Sequence, residues 1–89
     1  MQIEQSSQFK KTYKKLFPNQ LPETNNAIKE IIANPEIGEK KHGDLYWLRV
    51  YKYKCLGQLT LIGYSIENEI LTFISLGSHE NFYRDIKAK

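Results

Sequence analysis

The sequence predicts an α+β fold in the order β-α-α-β-β-β-α: an antiparallel sheet with a helical hairpin on one face and a short C-terminal helix. Three observations predict it. Apolar residues recur at helical spacing up to Ile32 and at strand spacing from Leu45 onward. Pro18 and the pair Asn34-Pro35 punctuate the helical part. The late apolar runs are separated by turns of two or three residues, which only antiparallel neighbours can use. At 89 residues the chain makes a single domain, 1–89. A chain this short buries roughly 60–65% of the surface its unfolded form exposes. That leaves room for a thin core and a shallow site, not a deep pocket.

The elements follow in order. Met1–Gln5 alternates Met1 and Ile3 and makes a short strand. Ser6 and Ser7 offer N-caps to a helix whose apolar face is Phe9, Tyr13, Leu16 and Phe17. Lys10, Lys11, Lys14 and Lys15 point mainly elsewhere. Pro18 stops that helix, and Pro22 suits the first turn of the next. Leu21, Ile28, Ile31 and Ile32 form the second stripe, so the two helices make an antiparallel hairpin. EIGEKKHGDL, polar and with two glycines, reads as a loop. Leu45–Cys55 is rich in Tyr, Trp and Val and reads as a strand. Trp47, Arg49, Tyr51 and Tyr53 fall on one of its faces, and Leu48, Val50, Lys52 and Lys54 on the other. Leu56-Gly57-Gln58 is a turn, and Leu59–Ile66 a central strand with Gly63 marking a bulge. Glu67-Asn68-Glu69 is a hairpin turn into the strand Ile70–Leu76. Ser78 then caps a last helix in which Glu80 and Arg84 stand at i,i+4. The helical hairpin covers one face of the sheet, and the face left open is the natural place for function.

Composition narrows the function further. Hydrophobic residues are 40% and charged residues 26%, a folded rather than disordered balance. A single cysteine, Cys55, excludes an internal disulfide and every paired-cysteine zinc signature. His42 and His79 lie far apart, so neither a metal nor another cofactor is expected. The N-terminus lacks a signal-peptide core, and no stretch approaches the roughly 20 apolar residues of a membrane span. A soluble cytoplasmic protein with no membrane partner is expected.

The net charge of +3 is unevenly distributed. Residues 1–17 hold four lysines against Glu4, net +3. Residues 18–39 hold Lys29 against four glutamates, net −3. Residues 40–54 hold Lys40, Lys41, Arg49, Lys52 and Lys54 against Asp44, net +4. Residues 55–78 have no Lys or Arg, and 79–89 carry Arg84, Lys87 and Lys89 against Glu80 and Asp85. The basic block is interleaved with Tyr46, Trp47, Tyr51 and Tyr53. Cations that meet phosphates beside rings that stack on bases are a means of holding nucleic acid. The same pattern also fits a solvated strand with aromatic cross-strand pairs.

Three stretches carry a likeness to a known family: GEKKHGDLYWLRVYKY, LTLIGYSIENEILTFISLG and, most of all, GSHENFYRDIK. Together they make the chain resemble the RelE/ParE superfamily of bacterial toxins from type II toxin–antitoxin systems, over nearly its whole length. The resemblance implies one of two activities. RelE-like members cleave mRNA at the ribosome without metal, and ParE-like members poison DNA gyrase. In both, a cognate antitoxin wraps the toxin; an antitoxin with an amphipathic helix in a groove of the toxin is expected here, its acidic residues meeting the 40–54 block. Carried over by position, Arg49 and Lys52 or Lys54 match strand cations; because the lysines share the opposite strand face, Arg49 is expected in the site and the lysines as steering charges at its edge. His79 matches the Arg or His after the last strand, and Tyr83 the C-terminal tyrosine. The resemblance thus implies His79 as proton carrier, Arg49 as phosphate grip and Tyr83 as a stacking or hydrogen-bonding group. Lys52, Lys54, Lys41, Trp47 and Arg84 would be RNA contacts. One departure stands out. Many RelE-like nucleases carry an arginine in the middle strand, whereas Gln58 to Tyr64, QLTLIGY, has no basic residue. The gyrase-inhibiting alternative and a plain RNA-binding module both stay open.

Overall fold

The structure, a computed structural model, describes residues 1–87 apart from the side chains of Asp85 and Lys87. The charges read at Asp85, Lys87 and Lys89 lie outside the described residues. Strands β1 (Gln2–Gln5), β2 (Glu39–Lys40), β3 (Arg49–Cys55), β4 (Gln58–Glu67) and β5 (Ile70–Ser78) form one sheet in the order β1-β5-β4-β3-β2. Helices are α1 (Ser7–Lys14), α2 (Leu21–Ala33) and α3 (His79–Lys87). The meander β3-β4-β5 is antiparallel, as the short turns require. Leu56-Gly57 and Asn68-Glu69 form those turns with both central residues at positive φ, the twist that suits a two-residue hairpin. β1 instead pairs parallel with β5, from Gln2↔Ile70 to Gln5↔Phe73, so the sheet is mixed at that edge. A parallel neighbour needs a long connection, and the rest of the chain supplies it.

Local chemistry sets the helix ends. Ser6 Oγ accepts from Phe9 N at 3.1 Å and donates to Ile74 O at 2.6 Å. The cap therefore starts α1 and ties it to β5 in one stroke. Pro18 opens a 3-10 turn, Pro18–Gln20, and Pro22 lies in the first turn of α2. Tyr13 Oη donates to Asn25 Oδ1 at 2.5 Å between the two helices. Both helices cover one face of the sheet. Their core is Phe9, Ala27, Ile31, Ile62, Tyr64, Leu71, Phe73 and Leu76.

Three expectations change. The stretch read as a loop contains β2, two residues paired with Val50 and Arg49. The strand expected from Leu45 begins only at Arg49. Gly43, at φ +65°, turns the chain into a 3-10 turn, Gly43–Leu45, and Leu48 N donates to Leu45 O at 2.9 Å. Trp47 therefore precedes the strand instead of alternating with Arg49 and the tyrosines. The second sheet face is not fully open either. Phe82 and Ile86 of α3 bury against Leu48, Val50 and Leu61 in a second, smaller core. Gly63 explains the fit: a Cβ there would lie 2.6 Å from Phe82 Cζ, so only glycine lets α3 close down. The β4–β5 register shifts at Gly63/Tyr64, the bulge that the glycine suggested.

Candidate functional site

The face carrying α3 also carries the alternate residues of β3. Val50 joins the core under α3, and Lys52 and Lys54, two and four residues on, point to the same side. Both lysines are exposed. At the junction of β5 and α3, Ser78 Oγ accepts from Asn81 N at 3.4 Å and so caps the helix that begins at His79. His79 is exposed, and its ring meets the half-buried Tyr83 ring edge-on with centroids 5.1 Å apart. Lys41 Nζ lies 5.7 Å from the centroid of the Tyr83 ring. The same Nζ pairs with Glu39 Oε1 at 2.9 Å. His79, Tyr83, Lys41 and Glu39 thus form a chain of contacts across the face, with Lys52 within electrostatic reach of Glu39.

The charges in this chain reinforce one another. Hydrogen bonding to Lys41, then the Lys41 charge, holds the Glu39 carboxyl below its usual range. The hydrogen bond to Glu39, then that to Tyr83, raises the Lys41 ammonium. Lys41 is therefore a fixed cation above an aromatic ring, positioned by a carboxylate. Sequence reading missed Glu39, because a two-residue strand inside a polar stretch has no periodic signature. The one available signal was the i,i+2 spacing of Glu39 and Lys41, which puts both on one face of an extended segment.

Arg49 and Trp47 lie elsewhere. Arg49 points to the face that carries α1 and α2. Its Nη1 donates to Gly38 O at 2.9 Å and to Glu36 O at 3.4 Å, tying down the connection between α2 and β2. Tyr64 holds the same connection: its Oη donates to Pro35 O at 2.6 Å and accepts from Gly38 N at 2.9 Å. Trp47 and Tyr46, both exposed, help to line an open cavity of about 600 Å³ with Lys40, Arg49 and Glu67. The structure therefore joins Lys41, Lys52, Lys54, His79 and Tyr83 on one face and leaves Arg49 and Trp47 apart from them. Arg84, on α3, donates from Nη2 to Asn81 Oδ1 at 3.0 Å. Cys55 is buried beside Thr24 and Gln20 on the helical-hairpin side.

Among the described residues no group of three or more His, Cys, Asp or Glu could hold a metal ion. No helix among them is long and apolar enough to cross a membrane. Chemically, the α3 face offers several cations, one imidazole and one phenol on a shallow surface. That set suits the grip of a polyanion and the movement of a proton on it.

Comparison with known proteins agrees with this architecture. Residues 3–87 match the family model described as ParE-like toxin of type II bacterial toxin-antitoxin system. The fold resembles that of a chain in the intact E. coli RelBE toxin–antitoxin complex, with 18% identity and a TM-score of 0.69 over 86% of this chain and 94% of that one. The isolated E. coli RelE toxin matches at 18% identity and a TM-score of 0.67, over 98% of this chain and 96% of that one. A conserved hypothetical protein of Helicobacter pylori, solved in solution, matches at 19% identity and 0.58, over 90% of this chain and 96% of that one. No protein of curated function matches by sequence.

Proposed function

The chain belongs to the ParE-like toxins of type II bacterial toxin–antitoxin systems, and from that premise we propose that it is a metal-independent endoribonuclease that cleaves translated mRNA at the ribosome, in the cytoplasm. The observation that carries the reading is the contact chain His79–Tyr83–Lys41 on the sheet face that Lys52 and Lys54 share. Metal-free cleavage needs a base for the ribose 2′-OH, an acid for the leaving 5′-oxygen, and cations at the phosphorane. Histidine is the residue type suited to carry a proton near neutral pH, and His79 takes the 2′-OH proton. The new bond joins the 2′-oxygen to phosphorus and the bond from phosphorus to the 5′-oxygen breaks. The products are a 2′,3′-cyclic phosphate and a 5′-hydroxyl. Lys52 protonates the leaving oxygen, and Lys54 and Lys41 balance the phosphorane charge. Tyr83 keeps the imidazole oriented from its edge. The phosphate contact first assigned to Arg49 passes to the lysines, because Arg49 is engaged with backbone carbonyls on the far face.

One observation favours a second reading. In the β3–β4 register Lys52 stands opposite Leu61, which is fully buried and apolar. The middle strand therefore adds no cation, and a toxin that inhibits DNA gyrase without cleaving RNA would need none. Induced expression without antitoxin separates the readings. A nuclease produces new mRNA 5′-hydroxyl ends within the first minutes and halts translation. A gyrase inhibitor leaves those ends absent, blocks supercoiling and induces the DNA-damage response, and that outcome would overturn the nuclease reading. Normal growth would sink both.

A further inference from the structure

The open cavity where β3 begins and β4 ends has no part in the cleavage chemistry. It measures about 600 Å³, within the roughly 300–1,000 Å³ of small-ligand clefts. Tyr46, Trp47, Lys40, Arg49, Ser65 and Glu67 line it. Its two rings are displayed instead of packed. Tyr46 is 68% exposed and Trp47 43%. Among the described residues neither ring stacks on another, and neither side chain forms a hydrogen bond. The backbone that carries them is nevertheless fixed. Tyr46 N donates to Gly43 O at 3.2 Å, Leu48 N donates to Leu45 O at 2.9 Å, and the Leu48 side chain is buried in the smaller core. Two large rings held out in solvent forgo the burial that such rings usually supply.

Charge surrounds the rings. Lys40 and Arg49 bring positive charge to the wall, and the carbonyls of Gly38 and Glu36 hold Arg49 in place. Glu67, at the end of β4, brings a carboxylate, which when ionised only accepts hydrogen bonds. Lys40 also links the cavity to the α3 face. β2 is the outermost strand and only two residues long. Successive side chains of an extended segment alternate, so Lys40 lines the cavity while Lys41 reaches the Tyr83 ring. A single-stranded polyanion that crosses this edge meets an ammonium on each side of it.

Exposed rings, flanking cations and an acceptor are what an unpaired nucleotide needs: a stack, a phosphate contact and a partner for its edge. We propose that the cavity binds one unpaired base of the mRNA, next to the nucleotides held on the α3 face. The base stacks on Trp47 and Tyr46, its phosphate meets Lys40, and its edge donates to Glu67. A carboxylate accepts from the exocyclic amino group of cytosine, whereas uracil places a carbonyl oxygen there. The cavity therefore favours amino-bearing bases over uracil. The proposal rests on the reading of the chain as an mRNA nuclease and gives it a contact outside the cleavage site.

Trp47 is the sole tryptophan of the chain, so its emission reports on this cavity. The full-length toxin is titrated with 2′-O-methyl oligocytidine and oligouridine, which resist cleavage because the attacking hydroxyl is blocked. Stacking should quench the emission saturably, with the cytidine oligomer bound about fivefold more tightly. Glu67→Gln should bring the two oligomers within about twofold of each other, because an amide both donates and accepts. Tyr46→Ser should weaken both by about fivefold or more. Quenching by neither oligomer, in a protein that still releases 5′-hydroxyl mRNA ends in cells, overturns the proposal and leaves the nuclease reading in place. Equal affinity of the unaltered toxin for the two oligomers overturns it too, as does equal quenching by inorganic polyphosphate, which has no bases. Emission that changes only when antitoxin is added makes the rings a protein contact, with the same consequence. If no 5′-hydroxyl ends form in cells, the nuclease reading falls and takes the proposal with it.

Discussion

Between one face of the sheet and its two helices eight described side chains, from Phe9 to Leu76, form the buried core. Between the other face and α3 alone there are five, and the lysines of β3 run out past the end of that cover. The first face also takes up polar groups for structural ends. Tyr64 and Arg49 pin the connection after α2, and Tyr53 Oη bonds Thr24 Oγ1 at 2.9 Å. The second face leaves its polar groups at the surface, where His79, Lys52 and Lys54 are exposed. A small domain cannot bury both faces of a sheet fully with three helices. Here the thicker core lies on the helical-hairpin side, and the thin side keeps polar groups accessible.

The comparison can be broken by mutation. Phe73→Ala, in the thick core, should cost about 3–5 kcal/mol, which denaturant unfolding would read as loss of most of the domain's stability. His79→Ala should leave unfolding unchanged and lower the mRNA cleavage rate about 10²–10⁴-fold in a purified translation assay. A fully active His79→Ala protein would remove the proton carrier from the mechanism. Gly63→Ala tests the thin core directly. Its Cβ would press on the Phe82 ring, so about 1–3 kcal/mol should be lost, with chemical-shift changes concentrated in α3 and sparing α1 and α2.

The two faces should also separate a pair of cation variants. Lys52→Gln should reduce cleavage with little change in stability. Arg49→Gln should cost roughly 1–2 kcal/mol through its lost carbonyl bonds and leave cleavage per folded molecule within a few-fold. The reverse pattern would return the phosphate contact to Arg49. The smallest effect is on pH dependence. Burial pushes the Tyr53 phenol up from its usual 10 to about 12, and burial raises Tyr64 in the same direction. The unfolded chain therefore loses these protons first. Stability contributed by Tyr53 is complete below pH 10 and falls as the pH climbs from 10 toward 12, and Tyr64 acts in the same direction. In Tyr53→Phe, thermal unfolding followed across that range should show a shallower decline.

How far the site was legible depends on the element. The helix stripe Phe9–Tyr13 follows from its period, and β4 and β5 follow from apolar runs bounded by turn residues. Arg49 and Lys52 were placed on opposite faces of β3 by counting alone. Which of those faces was the functional one did not follow. That depended on where α3 docks, and its docking depends on one missing Cβ at Gly63 and on Phe82 three residues after His79. Trp47 was misplaced because Gly43 coils the chain before the strand begins, a choice of backbone dihedral that leaves no mark on the hydrophobic pattern.

The sequence by itself determined the element order apart from β2, the basic aromatic segment at 40–54 and the GSHENFYRD stretch. All of these are local features that spacing and residue type express directly. The tertiary structure alone decided that Lys41, Lys52, Lys54, His79 and Tyr83 share a face while Arg49 serves the scaffold. It also decided that Tyr46 and Trp47 line a separate cavity. The reason is physical: a face or a cavity is a relation between segments far apart in the chain. Only packing, through close approaches such as Gly63 to Phe82 and bonds such as Tyr64 to Pro35, sets which segments meet.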